Sequence, residues 1–142
     1  MSAPITRDMI VAEARTWLGT PFQHQARLKG VGVDCAGVPV GIARALKLPY
    51  ADAQGYSRIP SQGQFRGVLA ACLDVIDLAD VQPGDLMSFA WRSEEQHIAV
   101  VSQLNPLRLI HAWQAIGQCV ENDFDAIWQQ RLRGCWRFRG IA

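Results

Sequence analysis

The chain has 142 residues, 49% of them apolar and 19% charged, with a formal net charge of +1. That is enough apolar chain to close one core, so residues 1–142 are expected to form a single domain. The near-neutral balance excludes a strong field that would recruit nucleic acid or an anionic membrane, and no apolar run reaches bilayer-spanning length. Neither partner is expected.

Residues 6–18 read as a first helix. Ile10, Ala14 and Trp17 recur at helical spacing, Arg7 and Asp8 open it, and Gly19 stops it. Residues 20–33 predict a loop punctuated by Pro21, Gly30 and Gly32. An apolar run over residues 35–48 predicts a buried helix ending before Pro49. Pro39 lies in its first turns, where proline is tolerated. Residues 52–64 read as irregular, and residues 65–76 as a further helix.

The turn Gln82-Pro83-Gly84-Asp85 opens into a strand over 86–89. Strands follow at 97–101 and 107–113, joined near Asn105-Pro106, a turn signal. Two more lie at 117–120 and 134–139, and the polar stretch between them has room for a short helix. Helices first and a meander of strands after is the α+β pattern. Arg131, Arg133, Arg137 and Arg139 are interleaved with Leu132, Trp136 and Phe138, which reads as alternating strand faces with the arginines solvated. No internal repeat or linker is present in the pattern.

The N-terminal segment has no apolar stretch behind a basic start, so no signal peptide is expected and the chain is expected to be made in the cytoplasm. Cys35, Cys72, Cys119 and Cys135 have no metal-ligand spacing, and four free thiols is the default state in that compartment. Cys72 lies in an apolar stretch and reads as core. Cys119 and Cys135 are neighbours only if their strands pair. Three histidines among scattered cysteines do not make a zinc site, and no GxSxG elbow, phosphate loop or dinucleotide fingerprint occurs. No metal and no cofactor is expected.

Cys35 stands between a glycine-rich loop and the buried helix, so it falls at a helix N-terminus. There the macrodipole and free amides favour a thiolate, and the Cys35 amide is a candidate donor to an oxyanion. The bland alternative is a small hydrophobe packed under a loop. His97 opens the strand HIAVV, placed to meet a helix terminus. With the hairpin centred near residue 104, His111 falls opposite His97 or nearly so, close enough for one ring to orient the other. Alternatively His111 is a core histidine bonded to backbone. His24, in a loop, either lines a cleft or braces the loop.

Asp34-Cys35-Ala36-Gly37 resembles the Asp-Cys-Ser-Gly nucleophile motif of the NlpC/P60 cell-wall peptidases, which are papain-like. Pro83-Gly84-Asp85-Leu86 resembles the turn before that family's histidine strand, and His97-Ile98-Ala99-Val100 resembles the strand itself. His111 matches the third catalytic position. The opening from Ala14 through Cys35 and the ending Trp136-Arg137-Phe138-Arg139 look like a subgroup encoded among tail genes of phages and gene-transfer agents.

The resemblance implies an α+β, papain-like NlpC/P60 fold, with N-terminal helices packed on a central antiparallel β-sheet. It implies a cysteine endopeptidase that cuts peptidoglycan stem peptides between D-γ-glutamate and a diamino acid. Cys35 would be the nucleophile, His97 the base and His111 its orienter. Asp34 and Tyr56 would bind the free amine of the stem's L-alanine. Stem peptides and phage tail proteins would be partners, and the site of action would be the cell wall, reached as part of a phage or phage-like particle. Ala36 departs from the usual serine. Two other readings share the pattern: a non-catalytic tail-assembly module, and a Cys-His amidase or acyltransferase on another substrate.

Overall fold

In the computed structural model, which describes residues 3–50 and 63–142, Thr6 opens helix α1 (Arg7–Arg15). Its hydroxyl accepts the Met9 amide, satisfying one free donor of the first turn. The helix ends before residue 18, where Thr16 donates its hydroxyl to the Glu13 carbonyl. Gly19 then takes a φ of +86°, open to glycine and strained for other residues. The expected loop contains a short hairpin, β1 (Arg27–Leu28) with β2 (Gly32–Val33). Helix α2 (Gly37–Leu46) is buried along Val38, Val40, Ile42 and Ala43.

Helix α3 (Gln64–Cys72) stops short of residue 76 because Leu73–Ile76 form strand β3. So short an apolar run fits either period. Pairing with the final strand decides it, with Val75 opposite Trp136 and Ile76 opposite Cys135.

The chain continues through β4 (Leu86–Trp91), β5 (Glu94–Gln103), β6 (Arg108–Trp113), β7 (Gln118–Asp123), α4 (Ala126–Arg131) and β8 (Leu132–Phe138). Asp125 caps α4 by accepting the Ile127 and Trp128 amides. The large sheet has the order β3-β8-β4-β5-β6-β7 and is antiparallel throughout.

The sheet buries both faces. On one, Leu86, Ile98, Val100, Ile110 and Trp136 pack against Ile10, Ala14, Val38 and Ile42 of α1 and α2. On the other, Met87, Phe89, Ala99, Val101 and Leu109 pack against Trp128 of α4. This is the expected α+β arrangement, with the first two helices on a central antiparallel sheet.

All four cysteines are free. Cys119 and Cys135 belong to the two opposite cores, because β7 and β8 are not neighbours. Cys72 is half-buried, not fully enclosed. Two of the C-terminal arginines are engaged and not simply solvated. Arg137 is bonded to Asp85, and Arg139 to Asp74 and to carbonyls at the end of α3. No helix among the described residues is long and apolar enough to cross a membrane.

Gly41 sets how closely α2 approaches Trp17, in the turn that follows α1. A Cβ built there would lie 2.1 Å from the Trp17 ring, and that indole is only 4% exposed. Gly41→Ala gains about 1 kcal/mol of helix propensity but overpacks the contact by about 3 kcal/mol. A net loss of roughly 2 kcal/mol is expected in urea unfolding. A variant as stable as the parent would show that the indole can retreat.

Candidate active site

Asp34 builds the turn that presents Cys35. Its Oδ1 accepts the Gly37 amide at 2.9 Å and the Arg27 guanidinium at 2.7 Å, and its Oδ2 accepts the Gln25 amide at 2.8 Å. The carboxylate is 3% exposed and serves as the side-chain cap of α2 from three residues before Gly37. His24 Nδ1 lies 4.0 Å from Asp34 Oδ2, on the loop-bracing side of the two readings of that histidine.

The Cys35 thiol points at β5. Its Sγ lies 3.7 Å from the Gln96 carbonyl oxygen, and the Ile98 and Ala36 amides face the sulfur. The local shape of β5 makes this possible. Phe89 of β4 is opposite His97 but Ala90 is opposite Glu95, so Gln96 is the extra residue of a β-bulge, a device that re-aims groups beside it. The β5–β6 ladder runs no nearer than Val100 opposite Ile110, so the main chain at Gln96–Ile98 is not laddered to β6. The sulfur therefore meets backbone on both sides of His97. Among the described residues its hydrogen-bond acceptor is that carbonyl and not a ring nitrogen of His97.

Burial pushes the Cys35 thiol up to about 12, and the neighbouring Asp34 charge pushes the same way. The Ile98 and Ala36 amides and Arg27 oppose this without overcoming it. The expectation of a thiolate favoured by the helix terminus is thus not met. Desolvation of a buried sulfur outweighs a few backbone dipoles. At neutral pH Cys35 is therefore a thiol and not a thiolate.

His97 and His111 are brought together on the α4 side of the sheet. Val100 pairs with Ile110, a register that makes the two histidines diagonal neighbours on one face, within reach of each other's rings. His97 Nε2 lies 2.6 Å from His111 Nδ1. His111 Nε2 in turn faces Asn122 Oδ1 at 2.5 Å.

Trp128 covers both rings from α4, at 5.6 Å from His97 and 4.9 Å from His111, and Trp113 stacks on His111. Phe89 and Trp91 close the His97 side. This aromatic box keeps both imidazoles neutral. Burial, reinforced by the charge of a protonated His111, holds His97 well below the usual range, and burial lowers His111 to about 4 against the opposing Asn122 bond.

The structure therefore joins His97 to His111 and sets Cys35 beside the backbone that carries His97, with Asp34 under the same turn. Tyr56 lies outside the described residues. Sequence reasoning passed over Gln96, Asn122 and Trp128. Asn122 was detectable in principle, since a β6–β7 register placing Val120 opposite His111 makes Asn122 the diagonal neighbour of that histidine. The bulge at Gln96 has no comparable sequence signal. No cluster of metal-ligating side chains occurs among the described residues.

Solved structures share this arrangement of helices on a six-stranded antiparallel sheet. No protein-family model and no curated protein matches the sequence. An NlpC/P60 family protein from Bacillus cereus superposes with a TM-score of 0.76 at 18% identity, over 96% of this chain and 41% of its own. A lipoprotein-like NLP/P60 protein from Staphylococcus aureus gives 0.71 at 18% identity, over 100% and 45%. The chain thus spans less than half the length of these two. The NlpC/P60 domain of the peptidoglycan hydrolase SagA gives 0.67 at 19% identity, over 94% of this chain and all of that domain. The protein has the NlpC/P60 fold.

Proposed function

We propose that the chain is a cysteine endopeptidase of peptidoglycan stem peptides, with Cys35 as nucleophile, His97 as general base and His111 as its orienter. The observation that carries this reading is the Cys35 thiol seated against the backbone on either side of His97, whose ring is tied to His111. A solved neighbour of the same fold is the domain of a peptidoglycan hydrolase, which favours wall peptides over other amides. The scissile bond of the proposal lies between the γ-carboxyl of D-glutamate and the amine of diaminopimelate or lysine.

The chemistry starts from two neutral groups. His97 takes the thiol proton as Sγ bonds to the scissile carbon, so no thiolate stands exposed at rest. The Cys35 amide is the first donor to the oxyanion. Return of the proton from His97 to the amine nitrogen breaks the C–N bond and leaves a thioester. Water then gives its proton to His97 and its hydroxyl to the acyl carbon, and the C–S bond breaks as the thiol is reprotonated. Asp34 and Tyr56 are the proposed seat of the stem's terminal amine. Since the Asp34 carboxylate already holds Arg27, Gln25 and Gly37, the amine would share it with these groups. Ala36 offers no hydroxyl there.

This resting state has a signature in pH. Protonated His97 cannot act as base, so kcat/KM is expected to rise once, through a pKa well below the usual imidazole value. It should then stay level through neutral and alkaline pH, because the thiol titrates only near 12. A bell with an alkaline limb at about 8–9, the ordinary thiol range, would contradict a neutral resting pair.

Purified protein incubated with muropeptides under reducing conditions is expected to release fragments cut after D-γ-glutamate, read by mass spectrometry. Intact muropeptides would overturn the reading. Action at a phage or phage-like tail belongs to the same proposal, supported by the likeness of the segments around Trp17 and Trp136. Particles carrying Cys35→Ala are expected to assemble but fail to infect. Normal infection by such particles would favour the assembly module.

A further inference from the structure

We infer that Asn122 is a positioning residue that fixes the tautomers of both histidines and so leaves His97 Nδ1 as the basic nitrogen. The inference rests on the peptidase reading for its catalytic consequence, but the tautomers themselves are properties of the free protein.

The argument runs along a chain of hydrogen bonds with one unambiguous end. Asn122 Nδ2 lies 3.0 Å from the Asp123 carbonyl oxygen. A carbonyl only accepts, so the amide nitrogen belongs on that side and Oδ1 faces His111. Oδ1 also only accepts, so His111 carries its hydrogen on Nε2. With His111 neutral, its Nδ1 is then bare and must accept from His97, which therefore carries its hydrogen on Nε2. The nitrogen left without hydrogen on His97 is Nδ1. Reversing any one bond sets two acceptors or two donors face to face inside a buried aromatic box, where an unmade hydrogen bond is costly.

Little else competes for these rings. Trp113 of β6, Trp128 of α4, and Phe89 and Trp91 of β4 enclose them and do not titrate in the relevant range. Among the described residues, the titratable group bonded to each ring is the other ring, and the Cys35 thiol lies against the backbone on either side of His97. The Asp123 carboxylate is turned to Arg108, and Arg131 lies over the outer Trp91 ring.

Two variants separate positioning from mere packing. Asn122→Leu keeps the volume and removes the acceptor. His111 can then place its hydrogen on Nδ1, which turns the bond around and puts a hydrogen on the His97 base. Asn122→Asp strengthens the acceptor, so His111 holds a second proton to higher pH and donates from Nδ1. The acid limb of the pH–rate profile should therefore move to higher pH, with activity recovering as pH rises. For Asn122→Leu, kcat is expected to fall roughly 10- to 100-fold with KM unchanged, within the range of general-base effects.

The deciding measurement is histidine nitrogen NMR on the free protein at neutral pH. The expected result is hydrogen on Nε2 and none on Nδ1 for both rings in the wild type, and a changed tautomer population in Asn122→Leu. A wild-type ring bearing hydrogen on Nδ1 would overturn the inference. So would an Asn122→Asp protein whose histidine titration and pH profile match the wild type. Should Asn122→Leu fail to fold, the wild-type spectrum and the Asn122→Asp titration still decide. If no stem peptide is ever cleaved, the tautomer result stands apart from that failure.

Discussion

Cys35→Ala is expected to lower kcat/KM for stem-peptide cleavage by a factor on the order of 10⁴ or more, the scale on which removal of a nucleophile acts in acyl transfer. The fold should survive. Although its sulfur is desolvated, Cys35 as a residue sits at the margin of the core, and its turn is held by Asp34 through Arg27, Gln25 and Gly37, none of which the substitution touches. A thermal midpoint near the parent value, together with loss of cleavage, is the combination that assigns chemistry to the sulfur. A variant that still cuts at a tenth of the parent rate would remove Cys35 from the mechanism.

The largest loss of stability is expected at Asp85. This carboxylate is fully buried. It accepts from Arg137 Nε at 3.0 Å and Nη2 at 2.9 Å, from the Gln82 amide at 2.9 Å, and pairs with Arg7 at 2.9 Å. It thus ties the turn before β4 to both α1 and β8. Asp85→Ala leaves two guanidinium groups without their shared partner, and breaking a buried pair costs about 3–5 kcal/mol. The lower end is expected, because the two arginine side chains remain 26% and 29% exposed and keep some hydration. A loss of about 3 kcal/mol corresponds to a fall in Tm of roughly 10 °C for a chain of this size. A change of only a degree or two would mean that water replaces the carboxylate at little cost.

Asp85 also illustrates what the sequence could and could not convey. The Pro83-Gly84-Asp85 turn was visible as a turn, yet its aspartate has its charged partners, Arg7 and Arg137, far away along the chain, and nothing local indicates them. The strands at β4, β5, β6 and β8 were legible because apolar runs bounded by turn residues leave few alternatives. Strand β3 was not, since Leu73 to Ile76 continue the apolar pattern of α3 and only pairing with β8 separates them.

In the candidate site the histidine pair was legible from one hairpin register. Asn122 was missed because the strand that carries it runs on to Asp123, past the point where its apolar pattern ends. The acidity of Cys35 was misjudged for a different reason. Helix position can be read locally, whereas the burial that opposes it is created by β5 arriving from sixty residues away.

The most direct test is to mix the protein with a stem peptide, quench in acid within a turnover, and map the protein by mass spectrometry. The expected adduct is an L-alanyl-γ-D-glutamyl thioester on Cys35, absent from Cys72, Cys119 and Cys135. Products released with no such adduct, and released equally by Cys35→Ala, would contradict a thiol nucleophile at the head of α2.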